Sequence, residues 1–217
     1  MSDATPHFQA ARLVLRLRQA GVTDHAVTEA MERTPRDRFA PRPFEADAWE
    51  NIELPIDCGQ SMTRPVTVGT MLQALAVEKQ HSVLEVGCGT GYVSAVLSHI
   101  GGRICSLDRY RTLADKARAQ LEREGFAGQV EVRHGDGFLG WPDAGQFDRI
   151  LIMGGVTELP AALAKQVAPG GVVVMPVIRG GDTIIVGLRR RSDGAFAERE
   201  IAAAGFAPLE HGIAKEL

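Results

Sequence analysis

The ten residues VLEVGCGTGY at positions 83–92 constrain this chain more than any other stretch. A short apolar run carrying one acid, Glu85, is followed by Gly87, Gly89 and Gly91 at alternate positions and then by helical spacing. Glycines in such a place let a chain turn sharply off a strand, and let a ligand touch backbone beside the free amides of a helix amino terminus. The stretch predicts a strand, a ligand-binding turn and a helix. The dinucleotide fingerprint GxGxxG fails when started at Gly87, because Tyr92 stands where the third glycine is needed, but it ends on the small Ser94 when started at Gly89. A nicotinamide-dependent dehydrogenase therefore stays open at this point.

The rest of the carboxyl-terminal part extends the same pattern. Candidate strands are Val83 to Val86, Arg103 to Leu107, Val130 to Arg133, Arg149 to Met153 and Val172 to Val177, with helical stretches around Tyr92 to His99, Leu113 to Glu124 and Ala161 to Val167 between them. Alternation of this kind predicts a parallel sheet flanked by helices. Beyond Val177, Thr183 to Arg190 alternates as a strand, SDG signals a turn, and Ala195 to Ala202 reads as the partner, so an antiparallel edge closes the sheet.

The amino-terminal part is different. Phe8, Ala11, Leu13, Val14, Leu15 and Leu17 suggest a helix stopped at Gly21, and Asp24 suits the cap of a second through Val27 and Met31. Ala48 to Thr67 has no clean period and reads as an ordered loop with short extended pieces, a candidate for binding work. Pro65 fits the first turn of a helix using Val68, Met71, Leu72 and Leu75. The expected fold is a doubly wound Rossmann-like α/β sheet, mostly parallel with an antiparallel edge, plus an amino-terminal helical addition. At 217 residues one domain is expected, with 1–80 as helices and loop and 81–217 as the core.

Composition narrows the function classes. Lys and Arg number 24 against 27 Asp and Glu, a net charge of −3 that argues against a nucleic-acid binder. Cys58, Cys88 and Cys105 show no CxxC or zinc spacing, and an odd count fits reduced thiols; no metal site is expected. Met1 to Gln9 lacks the basic and apolar runs of a signal peptide, and no apolar run has membrane-spanning length, so the expected location is the cytoplasm, away from membranes.

Two further acids carry chemistry. Asp108 ends the second strand, 23 residues after Glu85, where a carboxylate can accept from the two ribose hydroxyls of an adenosine; an Asp there also suits a helix cap ahead of Leu113. Asp136, in HGDGF after the third strand, can accept from an adenine amino group with Gly135 and Gly137 beside it; an ordinary Asp-Gly turn has the same spelling. All fall at the carboxyl ends of consecutive strands, where open sheets bind ligands.

Taken together, VLEVGCGTGY, the acid in SLDRY, and HGDG resemble the first three motifs of the class I S-adenosylmethionine-dependent methyltransferases. Upstream, FAPRPFEADAWENIELPIDCGQSMTRP is similar to the "GQTIS-P" segment of the protein-L-isoaspartate O-methyltransferases, and the likeness continues through FDRILIMGGVTELP and GGVVVMPV to GFAPLEHG. The resemblance implies S-adenosylmethionine as cofactor and isoaspartyl-containing peptides and proteins as partners. It implies that Gln60, Ser61, Met62 and Thr63 cover the methionine end of the cofactor and help place the acceptor, with Thr63 in the catalytic position. Glu85, Gly87 and Gly89 would line the methionine part, Asp108 would hold ribose, and Asp136 with Gly137 would hold adenine.

The chain departs from that pattern at Thr63, usually serine, at Met153, Gly154 and Gly155, usually Thr-Ala-Ala, and at Cys88, usually threonine. These positions bear on turnover and acceptor choice more than on cofactor binding. A related methyltransferase with a changed acceptor and a non-catalytic cofactor-binding member are the alternatives. A carboxylate acceptor is already ionised at neutral pH and needs no general base. The six histidines, His7, His25, His81, His99, His134 and His211, accordingly show no triad or ligand spacing, and GxSxG is missing. Arg189, Arg190 and Arg191 read as a solvated hairpin end, and Trp49 and Trp141 as packing residues.

Overall fold

A computed structural model describes residues 6–214, so the segment Met1 to Gln9 read for a leader lies partly outside the described residues. Helix α1 spans Pro6–Gln19 and α2 spans His25–Arg33, where the Asp24 carboxylate accepts from the Val27 amide at 3.1 Å, the capping bond that its sequence position predicts. Two 3₁₀ turns, Arg36–Phe39 and Arg42–Asp47, lead into the loop. Inside it β1 (Leu54–Pro55) pairs antiparallel with β2 (Ser61–Met62), closed by Cys58 and Gly59 in left-handed backbone at φ 61° and 64°. Helix α3 (Pro65–Leu75) follows, with Pro65 in its first turn. Its amino end is capped from a distance: the Asn51 side-chain oxygen accepts from the Val66 amide at 3.2 Å.

The core then alternates as β3 (Ser82–Val86), α4 (Tyr92–Ile100), β4 (Arg103–Asp108), α5 (Arg111–Arg123), β5 (Val130–His134), β6 (Phe147–Ile152), α6 (Ala161–Gln166), β7 (Val167–Arg179), β8 (Asp182–Arg190) and β9 (Phe196–Ala203). The seven strands form one sheet in the order β5-β4-β3-β6-β7-β8-β9, parallel as far as β7 and antiparallel beyond it. The chain order reverses between β3 and β6, so a crevice opens at their carboxyl ends.

Strand residues alternate between two cores. Val83, Ile104, Val132, Leu151 and Val174 pack under α3, α4, α5 and the amino-terminal helices. Leu84, Val86, Leu107, Ile150, Ile152 and Val173 face the other way, against α6, Trp141 and Leu209. Near-continuous apolar strands are what burial on both faces demands. The second face is covered by a single short helix and by loop residues, a thinner layer than regular alternation predicts. The reason lies between β5 and β6, where Gly140, Pro142 and Gly145 replace a crossover helix with a 3₁₀ turn, Pro142–Ala144.

One boundary and one pair of side chains differ from the sequence reading. β7 begins at Val167, five residues early, because Val167 pairs with Phe147 and a register irregularity before the Arg149–Val172 pair absorbs the residues between. Arg189 and Arg190 are not simply solvated: they donate to the carbonyls of Gly170 (3.3 Å) and Val167 (2.5 Å) and tie the hairpin to β7. Trp49 and Trp141 are buried, as packing residues should be.

Candidate active site

A cavity of about 460 Å³ lies at the carboxyl ends of β3, β4 and β6. That is within the ordinary size of a cofactor site. The turn after β3 makes its floor. Gly87, Gly89 and Gly91 have φ of 89°, 52° and 83°, which a side chain would oppose, and the Gly87 and Cys88 amides both donate to the Leu107 carbonyl at the end of β4 (2.8 and 3.0 Å). The glycine pattern thus folds one loop over two strand ends.

Asp108 stands at that junction. One carboxylate oxygen accepts from the Gly89 amide at 2.9 Å and the other from the Tyr110 amide at 3.0 Å, while only 5% of the residue is exposed. Burial raises its pKa, opposed by those two amides. It is not the cap of α5, whose N-cap is Tyr110 without a side-chain bond. The carboxylate is rigidly presented to the cavity it lines, with lone pairs left for a diol.

Glu85 is fully buried beneath the turn. Its Oε2 accepts from Ser94 (2.5 Å) and Ser106 (2.8 Å), and its Oε1 has no partner among the described residues. Burial pushes its pKa up to about 7 against the two serine bonds. Glu85 lines not the large cavity but a neighbouring one of about 50 Å³, shared with Ser61, Met62, Thr63, Gly87, Cys88, Gly89, Tyr92 and Arg36. An unpartnered buried acceptor beside it suits a cationic group such as an α-ammonium.

On the side of the loop, Gln60, Ser61 and Thr63 line the large cavity. The Thr63 hydroxyl makes no hydrogen bond to the described residues and does not cap α3, whose N-cap is Arg64 without a side-chain bond. Its carbonyl accepts from Arg36 at 2.8 Å. Gly137 lines the cavity too, so close to β3 that a Cβ there would stand 2.4 Å from Val86 Cγ1. Asp136 is not among the lining residues: it is half-buried, and its Oδ1 accepts from the Phe138 amide at 2.9 Å, closing an Asx turn.

The structure therefore brings Gln60, Ser61, Thr63, Gly87, Gly89, Asp108 and Gly137 to one cavity and puts Met62 and Glu85 in the smaller one behind it. The sequence did not announce Glu53, Arg64, Arg109 or the segment Gly205–Glu210 as lining residues. That segment packs at the site against Gly154 and Gly155, which follow β6. The Gly155 amide donates to the Ala207 carbonyl (2.8 Å), the Leu209 amide donates to the Gly155 carbonyl (2.7 Å), and a Cβ on Gly154 would meet Leu209 Cδ1 at 3.0 Å. The glycines that depart from Thr-Ala-Ala let this segment lie close; its only sequence signal was the matched stretch GFAPLEHG.

A parallel sheet with a glycine turn, a pinned acid at the next strand end and a close-packed glycine at the third defines a nucleotide-cofactor site of the class I methyltransferase type. Solved structures agree on the fold. A protein-L-isoaspartate O-methyltransferase superposes with a TM-score of 0.82 over 94% of this chain and 67% of its own, at 23% identity. A protein named likewise from Plasmodium falciparum, crystallised with S-adenosyl-L-homocysteine, gives 0.81 over 92% and 97%, at 16% identity. In sequence, the chain is 40% identical over 203 residues to the protein-L-isoaspartate O-methyltransferase of Rhodospirillum rubrum, 93% of either chain. It is 39% identical over 212 residues to that of Maricaulis maris, 98% of this chain and 99% of the other. The family model for protein-L-isoaspartate(D-aspartate) O-methyltransferase matches residues 8–214, and the chain belongs to that family.

Proposed function

We propose that Gln60 to Thr63, Glu85, Gly87, Gly89, Asp108, Asp136 and Gly137 are the working parts of a methyl transfer from S-adenosylmethionine to the free carboxylate of L-isoaspartyl residues in damaged proteins, the first step of their repair. The observation that carries the assignment is Asp108: a carboxylate with two backbone amides fixing it at the wall of a cavity that Thr63 also lines, with a hydroxyl that has no partner among the described residues. Asp108 would hold the ribose, Gly137 would flank adenine, and the unpartnered Glu85 Oε1 would accept from the cofactor's ammonium group. Asp136 can serve adenine with the oxygen that does not hold the Phe138 amide.

When bound, S-adenosylmethionine supplies a methyl group on a positively charged sulfonium. The protein's own residues then have to orient and to exclude water. The acceptor carboxylate is ionised at neutral pH, so no side chain must take a proton. Thr63 would orient the acceptor through its hydroxyl, and Gln60 and Ser61 would wall off solvent on the same loop. Orientation of two reactants can supply about 7 to 11 kcal/mol. Opposite charges meet in the reaction, and a site shielded from water favours their cancellation.

Calorimetry with S-adenosylhomocysteine tests the assignment. The ligand should bind the wild type, NAD should not, and Asp108→Ala should weaken binding by about 1 to 3 kcal/mol, the cost of losing a buried hydrogen-bond partner. Absence of binding at millimolar ligand would overturn the cofactor reading.

A further inference from the structure

Arg36 is one of the largest fully buried side chains of the described residues, and among these residues it forms no ion pair with a carboxylate. Burying an unpaired cation is costly, so a fold keeps one only where its hydrogen bonds do something a neutral residue could not. Two of its three nitrogens donate to backbone. Nε donates to the Ala48 carbonyl and Nη2 to the Thr63 carbonyl, each at 2.8 Å. Those two carbonyls stand at the two ends of the loop that carries Gln60, Ser61 and Thr63. The guanidinium carbon lies 5.0 Å from the centre of the Tyr92 ring, and Tyr92 is the first residue of α4, directly after the cofactor glycines. Phe39 meets the same ring edge-on at 5.8 Å. One planar cation thus fastens both ends of the acceptor loop to the start of the helix that follows the glycine turn.

We propose that Arg36 is the positioning residue of the active-site loop: by holding the Thr63 carbonyl against a reference on α4, it sets where the Thr63 hydroxyl stands relative to the cofactor turn. This rests on the reading of Thr63 given above. Arg36 also lines the small cavity with Thr63, Glu85 and Tyr92, and the fully buried atoms Arg36 Nη1, Tyr92 Oη and Glu85 Oε1 have no hydrogen-bond partner among the described residues. Burial lowers the guanidinium pKa to about 10, so the clamp remains charged through the neutral range. A lysine cannot replace it, because an ammonium on a flexible stem lacks the fork that reaches two carbonyls and lies flat on a ring.

The test is a double-mutant cycle of Arg36→Lys and Thr63→Val, read three ways: kcat/KM with an isoaspartyl peptide, affinity for S-adenosylhomocysteine, and amide hydrogen exchange of residues 60–64 in ligand-free protein. Arg36→Lys should lower kcat/KM at least tenfold, speed exchange across residues 60–64 at least tenfold, and leave the affinity within about twofold. In the Thr63→Val background the same lysine should cost less than about threefold more. Multiplying losses, unchanged exchange, or a fall in affinity that matches the fall in activity would overturn the proposal. If the lysine variant does not fold, Arg36→Gln takes its place in the cycle. If Thr63→Val alone is fully active, the reading of Thr63 fails, and the exchange rates then decide the clamp by themselves.

Discussion

The turn beneath the cofactor site and the loop that faces it are held by different means. Around the turn, the partners are close in the fold and largely backbone: Gly87 and Cys88 amides on the Leu107 carbonyl, Gly89 and Tyr110 amides on the Asp108 carboxylate. Two acids there, Glu85 and Asp108, sit buried with raised pKa values. The loop has little regular pairing beyond β1 and β2; of its three acids, Glu53 and Asp57 are exposed and Glu50 is half-buried against Arg16. Side chains from distant segments hold it instead. Arg16 donates to the Trp49 carbonyl (3.1 Å), Arg36 to Ala48 and Thr63, and Lys116 pairs with Asp57 (2.8 Å). Secondary structure preorganises the cofactor side, whereas the acceptor side depends on single side chains, so substitutions on the two sides should fail in different ways.

The larger expected effect belongs to the buried acid. In ligand-free protein the Glu85 carboxyl titrates near 7 against an ordinary 4.5. The protonated form is the one the fold favours, so its contribution is fully present below pH 4.5 and is lost as pH rises to 7, a total of about 3 kcal/mol. Glu85→Gln removes the titration. The melting temperature of the wild type relative to this variant should therefore fall between pH 5 and 8 by on the order of 5 to 10 °C. A difference that stays flat with pH would mean that the acid is ionised or hydrated throughout, and the contrast drawn between the two sides would lose its electrostatic half.

Thr63 tests the other side. Thr63→Val keeps shape and removes the hydroxyl, and should lower kcat/KM about ten- to a hundredfold, 1.4 to 2.7 kcal/mol, with little change in melting temperature because the hydroxyl caps nothing. Thr63→Ser keeps the hydroxyl and should hold or raise activity. A valine variant that melts lower yet turns over normally would remove Thr63 from the chemistry.

This division also explains what the sequence could tell. Alternate glycines, an acid at a strand end and apolar runs are local patterns with local causes, so the sheet, its antiparallel edge and the places of Gly87, Gly89 and Asp108 could be read directly. The cap at Asp24 and the first-turn Pro65 were equally local. What escaped depends on contacts across the chain. Nothing around Arg36 in TPRDRF says that its side chain ends at Thr63, 27 residues on. Gly205–Glu210 lines the cavity while packing against Gly154 and Gly155, some fifty residues earlier. The acid of an Asp-Gly pair can face a ligand or close its own turn, and at Asp136 one oxygen does the latter. Spacing fixes which strand end a residue occupies; it does not fix where that side chain's hydrogen bonds go.

Methyl transfer from a donor in this cavity to an isoaspartyl carboxylate can be read out on peptides. Two peptides of one sequence, one with an aspartyl and one with an isoaspartyl residue, incubated with labelled S-adenosylmethionine and the wild-type protein, test it most directly. Base-labile methyl ester should form on the isoaspartyl peptide and none above background on its aspartyl twin; equal labelling of both, or labelling of neither by a protein that binds S-adenosylhomocysteine, would rule such a transfer out.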